Sequence, residues 1–214
     1  MARAATKSKS RRTRKAPAGA LPVPIAAWFD ARGWAPRSHQ IALLEKARAG
    51  RDALLIAPTG AGKTLAGFLP TLIDLISDDW RAQDGHRQEL HTLYISPLKA
   101  LAVDIARNLT GPVDEMGLDL TIETRSADTS VAKRSRQRTK PPNILLTTPE
   151  QIALLLTHED APRLFSTVKT IVLDELHALV ASKRGDLLAL NLARLRRLAP
   201  GVRVTGLSAT VARP

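Results

Sequence analysis

Ala53-Leu54-Leu55-Ile56-Ala57-Pro58-Thr59-Gly60-Ala61-Gly62-Lys63-Thr64 decides the reading of this chain: an apolar run passes into a Gly-rich turn and then an amphipathic segment from Leu65. That order predicts strand, phosphate loop and helix. Successive backbone N–H groups of such a loop point inward and, with the positive end of the following helix, cradle the phosphates of a nucleotide. Thr59, Gly60, Ala61 and Gly62 form the cradle, and the two glycines let the backbone come close. Lys63 is placed to lie along the β- and γ-phosphates, and the Thr64 hydroxyl to complete a Mg²⁺ shell. Ala57 stands where the commonest form of the pattern has Gly, so the match is to its looser version.

Working outward, Gln40 stands seventeen residues before Ala57, where an amphipathic helix over Ile41 to Ala49 is expected to begin. A glutamine amide can pair in bidentate fashion with N6 and N7 of adenine. Alone it reads as a surface residue at a helix start; its distance from the loop favours the adenine role. Downstream, Thr167 to Leu173 is β-branched and apolar, fit for a central parallel strand, and ends in Asp174-Glu175-Leu176-His177. Adjacent carboxylates at a strand's C-terminal edge are costly unless a cation shares them. In a doubly wound sheet that edge also carries the phosphate loop. Asp174 is therefore the candidate Mg²⁺ holder, and Glu175 the group that polarises the attacking water.

The remaining segments alternate in the same way. A lead-in helix begins at Ile25 and is ended by Gly33, and a polar surface loop is expected from Ser77 to Glu89. His91 to Ile95 reads as a strand, turned by Ser96-Pro97-Leu98-Lys99 into a helix over Leu98 to Leu109, whose N-terminus can grip a phosphate with Lys99 assisting. Leu118 to Thr124 is a strand ending at Arg125. Val131 to Lys140, dense in Lys and Arg, suggests a short exposed helix and reads as a solvated face. Asn143 to Thr147 is a strand, after which Thr148, Pro149 and Glu150 cap a helix over Gln151 to Leu156. A helix over Asp186 to Leu198 precedes a last strand, Val202 to Leu207. This strand delivers Ser208-Ala209-Thr210 to the edge that holds the acidic pair.

A chain of 214 residues suits one α/β domain with a buried core. No apolar run approaches the roughly 18 to 20 residues needed to cross a bilayer, so a soluble protein is expected. With no cysteine there is no disulfide frame and no thiolate metal site. The formal charge of +12 includes seven basic residues, and no acid, within residues 1–20, leaving the remainder at +5. That tail has almost nothing to bury; it is expected to be disordered and able to touch nucleic-acid phosphates.

Taken together, these segments resemble the first RecA-like lobe of superfamily 2 helicases over nearly all of residues 34–210. Gln40 falls at the Q motif, APTGAGKT at motif I, SPLKALA at motif Ia, TTPE at motif Ic, DELH at motif II and SAT at motif III. SPLKALA together with DELH and Ser182-Lys183-Arg184-Gly185 looks most like the large helicase-related (Lhr) group, in particular bacterial ligase-associated DEXH-box helicases. The resemblance implies a RecA-like P-loop NTPase fold, α/β, with a parallel sheet flanked by helices on both faces. It divides the chain into a tail (1–20), a helical lead-in (21–36) and RecA-like domain 1 (37–214).

It also implies ATP and Mg²⁺ as cofactors and 3′→5′ movement on single-stranded DNA, with unwinding of DNA or RNA:DNA duplexes in DNA repair. Arg37 joins Gln40 at the nucleotide; Pro97, Lys99, Arg125, Thr148 and Glu150 touch the strand; His177, Ser208 and Thr210 couple hydrolysis to movement. After Arg125 the family often has Thr-Gly-Asp-Thr where this chain has Ser-Ala-Asp-Thr, which leaves the contact at Ala127 open. The sequence stops at Pro214, so a second lobe with its arginine finger is expected to be missing, and residues 1–214 alone are expected to bind ATP weakly with negligible turnover. Expected partners are that lobe and DNA-repair proteins such as a ligase, with no membrane, in a bacterial cytoplasm at the nucleoid. Two other readings are a nucleotide-gated binding module that unwinds nothing and a P-loop ATPase unconnected with nucleic acid.

Overall fold

A computed structural model describes residues 21–77, 89–97, 99–180 and 182–209, with the backbone alone for 99–103. Within these residues the apolar runs form six strands: β1 (Ala53–Ile56), β2 (Thr92–Ile95), β3 (Ile122–Thr124), β4 (Ile144–Thr147), β5 (Thr170–Leu173) and β6 (Arg203–Ser208). They make one sheet in the order β1-β6-β5-β2-β4-β3. Every pairing is parallel. The loops after β1, β5 and β6 therefore leave neighbouring strands at the same edge.

Successive side chains on a strand point to opposite faces. On one face Leu93, Ile95, Leu145, Ile171 and Leu173 meet residues of α6 (Pro149–Leu156), α7 (Ala161–Phe165), α8 (Leu176–Val180) and α9 (Lys183–Leu198). On the other, Tyr94, Ile144, Leu146, Val172 and Leu207 meet α3 (Lys63–Ile76) and α4 (Lys99–Glu115). Burying each such aliphatic side chain stabilises by roughly 1.5–3 kcal/mol. α1 (Val23–Ala31) closes that second layer, packing Ile25, Trp28 and Phe29 on Leu44 of α2 (Ser38–Arg48) and on Leu69 and Leu72 of α3. α5 (Val131–Thr139) lies beyond the β3 edge. At the opposite edge the α8–α9 face of β1 stays open, with Leu54 57% and Ile56 58% exposed.

Some boundaries differ from the sequence reading. α4 continues past Leu109 to Glu115 although Pro112 lies inside it. Proline removes one ladder bond, but Val113 is buried beneath α1, and Glu115 accepts hydrogen bonds from Trp28 Nε1 at 2.8 Å and from Arg32. β3 begins at Ile122 rather than Leu118, because the Leu118 N–H closes the end of α4 on Val113 O at 3.0 Å. The five-residue helices α7 and α8 were too short to leave a periodic signal. The expected tail over 1–20, and residues 78–88 of the expected surface loop, lie outside the described residues. No described helix is long and apolar enough to cross a membrane.

Candidate nucleotide and nucleic-acid site

The loop between β1 and α3 is shaped by Gly60 and Gly62, at φ 77° and 76°, a left-handed conformation open to glycine without a Cβ penalty. Gly62 is also the N-cap of α3, and no side chain caps that end, so the first N–H groups of the helix are free to face an anion. A Cβ on Gly62 would stand 3.1 Å from Gln40 Nε2. Gln40 is buried; its Oε1 accepts from the Arg37 N–H at 2.8 Å and its Nε2 donates to Gly62 O at 3.4 Å. Arg37 Nη1 donates to Gly60 O at 3.2 Å. Both residues thus brace the loop, and Gln40 keeps one N–H and one lone pair for an adenine edge.

Lys63 is buried, and its Nζ donates to Ala57 O at 2.9 Å and Pro58 O at 3.2 Å. An ammonium has three donors, so one remains to meet a phosphate. Thr59 is exposed, while Ala61 and Thr64 are half-buried.

β5 delivers Asp174, whose N–H donates to Ile95 O at 2.9 Å. Asp174 is only 4% exposed. Oδ1 accepts the Glu175 N–H at 2.9 Å, and Oδ2 accepts the hydroxyl of Tyr94. Tyr94 is fully buried and stacks on Phe68 of α3 with ring centroids 4.9 Å apart. Burial, and then the charge of Asp174, push the Tyr94 phenol far above its usual range, so it stays a donor. Among the described residues no cationic side chain pairs with Asp174. A buried carboxylate without a counter-ion is costly, and Asp174 suits Mg²⁺, which is usually bound by one or two protein oxygens plus phosphates and water; the Thr64 hydroxyl, at the second position of α3, is the other candidate oxygen.

Glu175 has φ 47°, alone among the described non-glycine residues in being positive. Its Oε2 lies 3.3 Å from His177 Nδ1, which lies 3.2 Å from Ser208 Oγ. Ser208 O in turn accepts the Ala57 N–H at 3.1 Å, tying β6 to the start of the phosphate loop. Glu175, His177 and Ser208 thus form one contiguous group; Thr210 lies outside the described residues. Tyr94 was missed by sequence reasoning, where it was one more strand residue. Its signal was the chain's single tyrosine, set between Leu93 and Ile95 in an apolar strand.

The expected strand contacts fall out differently. Pro97 is buried, and the side chain of Lys99, first residue of α4, lies outside the described residues. Arg125 is 4% exposed beneath α5, where Nη1 donates to Arg134 O at 3.0 Å and Gln137 Oε1 at 3.4 Å while Nε has no partner. Burial, then the charges of Arg134 and Arg138, hold its pKa down to about 10. Gln137 also donates to Glu123 Oε2 at 2.8 Å, so part of the basic run read as a solvated face is anchored inward. Ala127 does not have positive φ, so its turn does not demand glycine.

Thr148 occupies the N-cap position of α6 without a side-chain cap bond. Glu150 accepts from Arg184 Nε at 2.5 Å and Nη2 at 3.1 Å. Hydrogen bonding from Arg184 holds its pKa at about 2, below the ordinary carboxylate value. A cleft of about 430 Å³ between α4 and α5, lined by Arg107, Glu123 and Lys133 among others, sits at the β3 side rather than at the phosphate loop.

Comparison with known proteins agrees with this geometry. The chain is 41% identical over 210 residues to the Lhr helicase/probable uracil glycosylase of Mycolicibacterium smegmatis, covering 92% of this chain and 14% of that protein. It is 36% identical over 201 residues to the ATP-dependent helicase Lhr-Core of Methanocaldococcus jannaschii, covering 89% and 23%. It therefore spans less than a quarter of the length of either relative. The solved structure of Mycobacterium smegmatis helicase Lhr bound to ssDNA and AMP-PNP superposes with a TM-score of 0.80 at 39% identity, over 92% of this chain and 26% of that one. The DUF1998 helicase MrfA bound to DNA and AMPPNP gives 0.79 at 30% identity, over 94% and 28%. Residues 37–214, which hold the phosphate loop, the acidic pair and the braces around them, match throughout as DEAD/DEAH box helicase, and the chain belongs to that family.

Proposed function

We propose that this chain is the nucleotide-binding lobe of an ATP-dependent helicase that moves 3′→5′ on single-stranded DNA and unwinds DNA or RNA:DNA duplexes in DNA repair. The observation that carries the reading is the single sheet edge from which the β1 loop, Asp174-Glu175 and Ser208 leave neighbouring strands. A relative of the same fold that holds both ssDNA and AMP-PNP supports it.

In this reading Lys63 and the open N–H groups of α3 bind the β- and γ-phosphates, with Arg37 and Gln40 toward the base. Mg²⁺ held by Thr64 and Asp174 supplies neutralisation of charge on the phosphate oxygens. Glu175 orients the attacking water and accepts its proton. Its contact with His177, and through it with Ser208, links that proton acceptor to β6 and onward to Thr210. Pro97, Lys99 and Thr148 contact the tracking strand, while Arg125 acts from beneath α5. A second lobe of the same protein contributes the arginine finger. Repair proteins, a ligase among them, are the partners at the bacterial nucleoid.

The test is strand displacement by the full-length protein on partial duplexes with 3′ or 5′ overhangs, in DNA and RNA:DNA forms. Lys63→Ala and Glu175→Gln are both expected to abolish unwinding, with Glu175→Gln still binding ATP. Unwinding that survives Glu175→Gln would sink the mechanism. ATP-dependent strand binding with no displacement on any substrate would favour a binding module.

A further inference from the structure

We propose that Arg184 is the positioning residue of the turn Thr148-Pro149-Glu150, and that Glu150 is the strut through which it acts rather than a ligand of the nucleic-acid strand. The inference rests on the reading of this turn as a strand contact. Arg184 meets Glu150 with two nitrogens, Nε at 2.5 Å and Nη2 at 3.1 Å, a planar fork that a lysine cannot reproduce. Glu150 lies in the first turn of α6, two residues after the N-cap Thr148. The first turn of α6, and with it the N-cap Thr148, is therefore held through Glu150 by Arg184.

The rest of α9 grips α6 at both ends. Asn191, 1% exposed, donates from Nδ2 to Pro149 O at 2.9 Å, and Arg194 Nη2 donates to Leu156 O at 2.7 Å. α9 is itself seated on α8: a Cβ on Gly185 would stand 2.3 Å from Leu179 O, a backbone atom that cannot swing aside. α8 begins directly after Glu175. The turn is thus placed by a packed block that starts at the acidic pair. Glu150 and Arg184 keep 44% and 39% of their side chains exposed. A pair so exposed contributes little to stability, so its effect is on geometry.

The experiment measures binding of a fluorescein-labelled oligothymidylate to this chain by anisotropy across a salt series, alongside thermal unfolding. Each of Glu150→Gln and Arg184→Gln is expected to weaken strand binding about five- to tenfold with little change in Tm. The double reversal Glu150→Arg with Arg184→Glu is expected to recover affinity to within about twofold of wild type. Arg184→Lys, which keeps charge but not the fork, is expected to lose about threefold, and serves if a reversal fails to fold. Removing an acid near a polyanion tightens binding if charge alone matters, so tighter binding by Glu150→Gln overturns the proposal. So does an Arg184→Gln chain that binds like wild type, or a double reversal no better than its single changes. Absence of salt-sensitive binding by the wild type removes the strand-contact reading itself, and this proposal with it.

Discussion

The two ends of the sheet's C-terminal edge are built in different ways. Around β1, β5 and β6 the site is held largely by main-chain geometry and short reaches: left-handed glycines, Lys63 on carbonyls five and six residues away, and Asp174 accepting the next residue's N–H. Tyr94, Arg37 and Gln40 are added as braces from further off. Toward β4 and β3 the candidate strand contacts hang on side chains arriving from distant helices, Arg184 on Glu150 and Gln137 on Arg125. The first kind of site keeps its shape because the backbone dictates it. The second depends on partners that a single substitution removes, so its failures should appear in strand binding rather than in nucleotide binding.

The largest effect that breaks or confirms this contrast is at Glu175. Replacing it with Gln removes the proposed proton acceptor and leaves the backbone alone; steady-state ATP hydrolysis by the full-length protein is expected to fall about 10³-fold, with nucleotide affinity unchanged within about twofold. Next comes Gly185→Ala, where overpacking against Leu179 O is expected to cost about 1–3 kcal/mol in denaturant unfolding. Tyr94→Phe sharpens the comparison within the nucleotide half. It keeps the stack on Phe68 and deletes the hydroxyl on Asp174, and is expected to raise the Mg²⁺ concentration needed for nucleotide binding by about tenfold.

The smallest effect belongs to the other half. Glu150 has a folded pKa of about 2 against 4.5 for the free group, so its pairing contributes stability above about pH 4.5 and loses it as pH falls toward about 2. Solvent screening limits that contribution to about 1 kcal/mol or less. The difference in unfolding free energy between wild type and Glu150→Gln, measured across that window, should shrink as the pH drops.

The same contrast explains what could be read in advance. Ala53–Thr64 and Asp174–His177 were legible because strand, turn and chemistry lie within a few residues of one another. The succession of strands and helices along the chain followed from apolar runs and helical spacing, and the parallel sheet with helices on both faces from the resemblance, whereas the order of strands within the sheet came only with the structure. Glu150 was read as a strand contact from its place in TTPE, and nothing in its own surroundings announces its pairing with Arg184, thirty-four residues on. Gln137 sat inside a run of Lys and Arg, and only the packing of α5 on the end of β3 shows that it points inward. Arg125 ends its strand as expected, yet its burial is decided by a helix that follows it. Tyr94 needed β2 to lie beside β5, a pairing no local window contains.

The left-handed backbone at Glu175 reaches further than its own residue. A non-glycine residue held there is disfavoured by about 1–3 kcal/mol, and the amide it carries is the one received by Asp174 Oδ1. One peptide plane is therefore the hinge plate for both acids: a twist that re-aims Glu175, the proposed water-polarising group, must also turn Asp174, the proposed metal holder. Relaxing that plane would detune the pair in concert, and neither acid can be retuned while its neighbour stays put.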